Sequence, residues 1–390
     1  MKRYVIACTL LFLAAAAAFG LNTPRRPGDR FDVTYPRLQA LGGPNAAFIS
    51  GVETLQTNPA GLTQVNRQTA FARVSGHVTG PIFSLVSVGQ EAMADPATLL
   101  DDDAQALLQG IHSSFDAGGP LGFAYVGSGV GFSVYNVTGA ALTAPTPLSV
   151  RLSVSERLAL RGGFAADIPL NEDLEMDLST GFSFSSFVMG ESRNDVQLID
   201  APDLLDSLGL GLITDAPFVL QSGIGLHLGV LWSWKDMLAV GLTAENVFAP
   251  TVSFTYDSLN DYLDGGSDPS RTTGRIRPVI STGVRYSAPL GPFDRYFDEL
   301  DLYFGYRDIF DFVGSDVREN ILLKLSLAGE LTLLDIVRVG AGFSQGLPSL
   351  GAGIELGVIE LRGAVFGREY ATQPGLRSLY NISFSVDVRR

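Results

Sequence analysis

The sequence predicts an all-β fold, a transmembrane antiparallel β-barrel of about 14 strands with short helical segments in its outer loops. Three observations predict it: long alternations of apolar and polar residues, an even count of such stretches, and dispersed hydrophobicity. Apolar residues make up 46% of the chain and the mean hydropathy is +0.22. Beyond the N-terminus, however, no run approaches the roughly 20 apolar residues of a membrane-spanning helix.

The clearest alternation runs from Asp173 to Val188. Its even positions are mostly apolar, and its odd positions are Asp, Glu, Ser or Gly until Phe187. Successive side chains of a strand point to opposite faces, so this strand has one apolar and one polar face. It is far longer than the five or six residues or so of an ordinary strand. A soluble β-sandwich also alternates, so the prediction depends on how often the pattern recurs.

The pattern recurs along the chain in an even number of stretches, as bacterial barrels require. The long connections 89–119, 190–216, 249–275 and 367–378 then fall on one side, with short turns on the other. The predicted strands are 68–88, 120–127, 129–138, 148–169, 173–189, 217–232, 236–248, 276–288, 298–310, 319–329, 336–343, 349–356, 359–366 and 379–388.

The first twenty residues or so predict a secretory signal peptide. Lys2 and Arg3 form a basic start, Val5–Phe19 is apolar, and cleavage is expected after Gly20, giving a signal at 1–20. An N-terminal membrane anchor is the alternative, but the apolar run is short and no stop-transfer flank follows. The only cysteine is Cys8, so the mature chain is expected to have neither disulfides nor thiolate metal sites.

Charge and motif content exclude several function classes. The formal net charge of −14 argues against nucleic acid or anionic lipid as a partner. The three histidines lie outside any serine-hydrolase context, so the sequence predicts no catalytic residues and no enzyme. Asp101–Asp103 lacks the spaced ligands of a calcium loop and is interpreted as a helix cap. No metal or cofactor is predicted.

The segment before the first predicted strand has a different character. A Pro- and Arg-rich leader is followed by Leu41–Phe48, which contains two glycines, and then by Asn58-Pro59-Ala60-Gly61-Leu62. Small residues and an Asn-Pro pair predict a compact element of short turns. Taken alone, the last motif is merely a turn.

Together, these features resemble the outer-membrane long-chain fatty-acid transporter (FadL-like) superfamily, which includes the PorV-type barrels of secretion systems. Uncharacterised spirochaete paralogues look closest, through Gly119–Gly127 and Arg338–Gly351. The chain departs from the family in ending Val388-Arg389-Arg390 rather than in an aromatic residue.

The resemblance implies an integral outer-membrane barrel at 68–390, preceded by a leader and hatch at 21–67 that plug it. The implied hatch motif is Asn58, Pro59, Ala60, Gly61 and Leu62. Charges of both signs on the polar faces of the strands, Arg362 among them, predict interior ion pairs that hold the hatch in place.

Two outer loops have apolar residues at helical spacing. The resemblance suggests that such loops form a groove that captures a lipid-like ligand; packing of the loops on one another is the alternative. The predicted ligand-binding residues are Leu107, Leu108, Ile111, Phe115, Leu204, Leu205 and Leu208.

Gly127, Gly129 and Gly131 surround the turn between the second and third predicted strands. Missing side chains permit a bend or an opening in a barrel wall. Because the family releases its ligand sideways through a kink, these glycines are a candidate lateral gate. A plain tight turn is the alternative.

The sequence therefore predicts an outer-membrane channel for passive uptake of long-chain fatty acids or similar hydrophobic molecules. Its partners would be that ligand and the surrounding outer-membrane lipid. The alternatives are a PorV-like barrel that docks secreted protein cargo, and a structural surface barrel.

Overall fold

The computed structural model describes residues 34–81, 112–146, 149–170, 175–197, 211–235, 237–266, 268–293, 295–310 and 319–390. Sixteen strand segments form one sheet. They are β1 (Gln68–Thr79), β2 (His112–Gly127), β3 (Val130–Thr146), β4 (Ser149–Ile168), β5 (Met176–Gln197), β6 (Phe218–Trp234), β7 (Leu238–Phe248), β8 (Pro250–Tyr256), β9 (Ser270–Arg275), β10 (Val279–Ser287), β11 (Glu299–Tyr306), β12 (Leu325–Leu333), β13 (Val337–Ser344), β14 (Leu347–Leu356), β15 (Ile359–Glu369) and β16 (Ser378–Arg389).

The sheet closes on itself. The first and last strands, β1 and β16, pair with each other, and the pairing of β5 with β6 completes the circle. Every pairing is antiparallel. Only Ala249 separates β7 from β8, and a short break separates β9 from β10, so each couple is one barrel strand. The prediction of a barrel of about 14 strands is therefore confirmed.

Several predicted boundaries are wrong. β3 continues to Thr146 and β5 to Gln197, past their predicted ends at 138 and 189. The predicted loop 249–275 contains β8 and β9, which lengthen a hairpin at the outer end of the wall. The predicted loop 89–119 ends early, because β2 begins at His112. The predicted strand 319–329 starts as a 3-10 turn at Ile321–Leu323, because the Asn320 side chain accepts a hydrogen bond from the Leu322 amide at 3.0 Å and caps the turn.

The wall has the opposite polarity to a soluble protein. Along β16, Ile382 is 46% exposed and Phe384 49%, while Asn381 and Ser383 are 0% and 2% exposed. Apolar side chains thus face outward and polar ones face inward, the arrangement of a barrel whose outside contacts lipid. The alternation of apolar and polar residues along each strand therefore reflects a lipid-facing outer side and a polar inner side.

The helices are short: α1 (Pro36–Ala40), α2 (Thr54–Thr57), α3 (Gly211–Thr214) and α4 (Leu259–Leu263), with 3-10 turns at Gly51–Glu53, Pro59–Thr63, Gly291–Phe293 and Ile321–Leu323. No helix in the described part of the chain is long and apolar enough to cross a membrane.

Residues 34–67, called the hatch segment below, pack inside the barrel. The segment supplies Leu38, Phe48, Leu55 and Leu62 to a buried apolar cluster that also includes Val126 on the wall. The hatch segment contacts strands on several sides of the lumen. It therefore fills part of the barrel interior.

The outward face gives a direct test of the membrane-spanning assignment. We expect Phe384→Arg to destabilise the barrel by about 2–4 kcal/mol, the cost of a cation near the middle of a bilayer. Leu334→Arg, at the exposed inner turn between β12 and β13, should cost about 0–1 kcal/mol. Urea titration of the barrel refolded into lipid vesicles measures both, and equal costs would contradict a lipid-facing position for Phe384.

Candidate functional site

The predicted hatch motif is fully enclosed. Asn58 and the four residues that follow it are all buried. The Asn58 side-chain amide donates to the Ala46 carbonyl at 2.7 Å and to the Val230 carbonyl of β6 at 3.1 Å. Its oxygen accepts from the Ala60 amide at 3.0 Å. One side chain therefore caps a turn of the hatch segment and fastens that turn to the wall.

Asn45 repeats this arrangement and was missed by the sequence analysis. Its amide donates to the Phe304 carbonyl of β11 at 2.9 Å, and its oxygen accepts from the Ala47 amide at 2.8 Å. The available signal was the likeness of Asn45-Ala46-Ala47 to Asn58-Pro59-Ala60. The hatch segment therefore has two asparagine turns, each bound to a different strand.

The wall is shaped to receive these turns. Gly181, Gly229, Gly241 and Gly283, called the glycine belt, lie on the neighbouring strands β5, β6, β7 and β10. A Cβ atom on any of them would come within 3.0 Å of the hatch segment. At Gly229 and Gly283 the atom met would be the side-chain oxygen of an asparagine turn. Glycine is required here because the two backbones approach so closely.

A buried ion-pair cluster holds the opposite side of the hatch segment. Glu53 accepts from Arg362 of β15 at 2.6 Å and from Arg389 of β16 at 2.9 Å. Arg389 also pairs with Glu360 at 2.7 Å. The predicted interior ion pairs are confirmed here. The unusual C-terminus is also accounted for in part, because Arg389 binds the hatch segment.

Electrostatics keep Glu53 charged despite its burial. Burial alone would raise the pKa of Glu53, but the positive charges of Arg389, Arg362 and Arg37 outweigh it and hold the pKa well below its usual range. Arg37 is in turn paired with Glu330 of β12. The cluster is thus stable only while the carboxylate is ionised.

Two small cavities lie beside the hatch segment. They measure about 20 and 10 Å³. Each has room for about one water molecule. An organic ligand fits in neither.

The wall itself is broken in β2. Gly118 pairs with Val137 and Gly122 with Tyr135, so three residues of β2 lie opposite Asn136 alone. The register with β1 shifts over the same stretch. The amide of Leu121 leaves the ladder and donates to the Asn136 side chain at 3.0 Å. Residues 119–121, called the wall break, are a bulge that interrupts the pairing on both sides.

The start of the hatch segment covers the inner side of the wall break. The hydroxyl of Tyr35 donates to that of Tyr135 at 2.9 Å. The Arg73 guanidinium lies 3.9 Å from the centre of the Tyr35 ring and donates to the Thr34 carbonyl at 2.8 Å. Thr34 also lines the larger of the two cavities, next to Gly118. These four residues, Thr34, Tyr35, Arg73 and Tyr135, are called the latch and close the break from inside.

The predicted gate residues, Gly127, Gly129 and Gly131, do not lie at the wall break. Ser128 and Gly129 form a two-residue turn with positive φ, the geometry of a tight hairpin. Gly127 pairs with Val130 and Val126 with Gly131, so the ladder is continuous there. The predicted bend is not at these residues; the interruption lies earlier in the same strand, at the wall break.

The predicted capture loops are mostly outside the described residues: Leu107, Leu108, Ile111, Leu204, Leu205 and Leu208. Phe115 is described, and the predicted helix does not reach it. It lies in β2, paired between Val78 and Ala140, with its side chain exposed on the outer wall. The alternation of Phe115 with polar Ser114 and Asp116 was the signal for a strand.

Fold and polarity define the class of protein. It is an integral β-barrel of the outer-membrane type, with residues 34–67 packed in its interior. Within its described residues, no group of three His, Cys, Asp or Glu side chains could hold a metal ion. No protein-family model and no curated protein matches the chain.

Several solved structures are similar to this chain. The toluene transporter TbuX of Ralstonia pickettii is 11% identical with a TM-score of 0.45, over 91% of this chain and 97% of that one. A FadL homologue of Pseudomonas aeruginosa is 12% identical with a TM-score of 0.44, over 95% and 99%. The toluene transporter TodX of Pseudomonas putida is 12% identical with a TM-score of 0.39, over 90% and 96%. The likeness is one of fold.

The ion-pair cluster yields a stability prediction. We expect Glu53→Gln to weaken the seating of the hatch segment by about 3–5 kcal/mol, because it removes the only carboxylate that the segment itself supplies to Arg362 and Arg389 and leaves their buried charges undercompensated by Glu360 and Asp387. Hydrogen exchange of the amides of residues 51–63 measures the loss. Glu175→Gln is the matched control, since Glu175 pairs with Lys235 at 3.0 Å in an exposed position. Its effect should stay below about 1 kcal/mol, and equal effects would contradict the clamp.

The same carboxylate predicts a pH dependence. The pKa of Glu53 is lower in the folded protein, so its contribution to seating is complete above the ordinary glutamate pKa of about 4.3 and is lost as pH falls through the lower folded value. Hydrogen exchange of the hatch segment, corrected for the intrinsic rate, should therefore accelerate as the pH falls below about 4.3. The Glu53→Gln variant should lack this acceleration; a variant that retains it would assign the effect to other groups.

Proposed function

We propose that the protein is a passive outer-membrane channel for long-chain fatty acids or similar hydrophobic molecules, which leave sideways through the wall break. The observation that carries the proposal is the coincidence of that break with the start of the hatch segment. The wall break interrupts the pairing of β2 with both β1 and β3. Tyr35 and Arg73 lie on its inner side. Withdrawal of the latch would connect lumen and bilayer.

The ways in which the hatch segment is held support a local movement rather than its ejection. The two asparagine turns and Glu53 are bound by several short hydrogen bonds and ion pairs. The latch depends on one hydroxyl pair, one hydrogen bond from Arg73 to Thr34 and a ring contact. Under this proposal the seated body stays in place, and the residues around Tyr35 shift.

Capture is assigned to the outer loops. The loop residues proposed to receive the ligand are Leu107, Leu108, Ile111, Leu204, Leu205 and Leu208. Phe115 is no longer among them, because it lies in β2 on the outer wall. An apolar groove would concentrate the ligand by removing its chain from water, at about 0.8 kcal/mol per buried methylene. A hydrophobic ligand is in keeping with the two toluene transporters among the similar solved structures. The wall route is supported by the strand geometry of this chain alone.

Deletion of Gly119 and Pro120 tests the route. It removes the two residues that β2 has in excess of β3 and restores a continuous register with β3. We expect uptake of labelled oleate by producing cells to fall to the level of cells without the protein, because the break closes on its β3 side. Deletion of Gly375 and Leu376 in an outer loop is the matched control and should leave uptake unchanged. Normal uptake by the first variant, at equal surface amounts, would refute lateral release at this break.

A further inference from the structure

A polar patch lies on the outer face of the wall, next to the break. Asn136 and Thr138 of β3 and Glu156 of β4 make it up, and it is called the polar island. The Asn136 amide donates to one carboxylate oxygen of Glu156 at 3.2 Å, and the Thr138 hydroxyl donates to the other. The other end of the Asn136 side chain accepts from the Leu121 amide of the wall break.

The surroundings of the polar island are apolar. On the same face of β4, Leu152 lies on one side of Glu156 and Leu158 and Leu160 lie on the other, all exposed. Phe115 and Leu121 of β2 and Phe132 of β3 are also exposed on this face. A carboxylate among lipid-facing side chains is costly, and such groups commonly mark functional positions.

The structure of the break explains the asparagine but not the charge. Asn136 satisfies the Leu121 amide that the bulge releases from the ladder, so a polar residue is needed there. The Asn136 and Thr138 donors need an acceptor in turn. A neutral glutamine at position 156 would satisfy both partners: its oxygen would accept from Asn136, and its NH2 group would donate to the Thr138 hydroxyl, with a smaller penalty for facing lipid. The negative charge therefore calls for a separate reason.

We propose that Glu156 receives the polar head of an amphipathic ligand as it leaves the wall break, and that this head is a hydrogen-bond donor: an alcohol, a phenol or an amine. This inference rests on the proposed function and narrows its ligand class. An ionised carboxylate has about four acceptor sites, of which Asn136 and Thr138 occupy two. The others are open to a donor that arrives at the exposed carboxylate.

The same geometry disfavours a carboxylate head. Two like charges a few ångströms apart repel each other, and the repulsion is stronger in a low-dielectric setting than in water. A fatty acid would fit beside Glu156 only in its protonated form, in which it too is a donor. Selection at the polar island therefore follows the protonation state of the head, while the apolar chain lies against the surrounding leucine and phenylalanine side chains.

Photo-crosslinking in outer-membrane vesicles tests the inference. The probes are a long-chain alcohol and the carboxylic acid of the same length, each with a diazirine near its head, and labelled peptides of β2 to β4 are identified by mass spectrometry. At neutral pH we expect the alcohol to label these peptides about fivefold more than the acid. Glu156→Gln keeps the hydrogen-bond acceptor and should abolish the difference.

Two further variants show whether the preference depends on the carboxylate at position 156, rather than on the length of its side chain or on the net charge of the protein. Glu156→Asp keeps the carboxylate on a shorter side chain and should retain the preference for the alcohol. Glu175→Gln removes an exposed carboxylate at an inner turn and should also retain it. If Glu156→Gln does not form a barrel, the wild-type ratio alone decides.

Equal labelling of the wild type by the two probes would overturn the inference, as would an unchanged preference in Glu156→Gln. Either result leaves the wall route standing, because both probes would still label β2 to β4. Uptake without labelling of these peptides by either probe would instead refute the proposed function.

Discussion

The structure depends on how a polar, turn-rich segment is held inside a barrel. Every buried amide and carbonyl of such a segment needs a partner, since an unsatisfied one costs about as much as several favourable contacts contribute. Asn45 and Asn58 solve this twice, each by capping its own turn and binding a strand carbonyl. The glycine belt is the matching feature of the wall, because only a bare backbone lets these side chains approach.

This seating divides the hatch segment into parts with different freedom. The asparagine turns and the Glu53 cluster tie its body to β6, β11, β15 and β16. Its first described residues, Thr34 and Tyr35, are tied to the wall by Arg73 and Tyr135. Arg73 lies against the glycines that flank the wall break, because a Cβ at Gly122 would meet the Arg73 side chain. The residue that holds the start of the hatch segment is thus the residue next to the bulge, so the two features are linked through one side chain.

Alternation was enough to predict the strands, because lipid outside and a polar interior impose one rule on every second residue. It failed where a local interaction overrides that rule, as at Ile321–Leu323, where Asn320 caps a turn. It could not find the wall break, since a bulge leaves flanking residues with the same composition as a regular strand. The glycine-rich stretch 127–131 was predicted to be the bend, but there Gly129 forms part of the tight turn between β2 and β3. Pairs such as Glu53 with Arg362 join residues far apart in the chain, and no periodicity reports them.

The interior of this barrel is filled by a firmly held segment, whereas its wall is interrupted in β2. The two features would conflict if a ligand passed along the barrel axis. The glycine belt and the ion-pair cluster fix the hatch segment against the wall, and the two cavities described beside it have room only for water. The bulge in β2 costs ladder hydrogen bonds, and the protein recovers one of them through Asn136 at the expense of a carboxylate in the apolar outer face. A purely structural barrel gains nothing from that exchange, because a regular strand would be more stable. The energetic cost of Glu156 on the apolar face is explained if a ligand crosses the wall at this point rather than along the barrel axis.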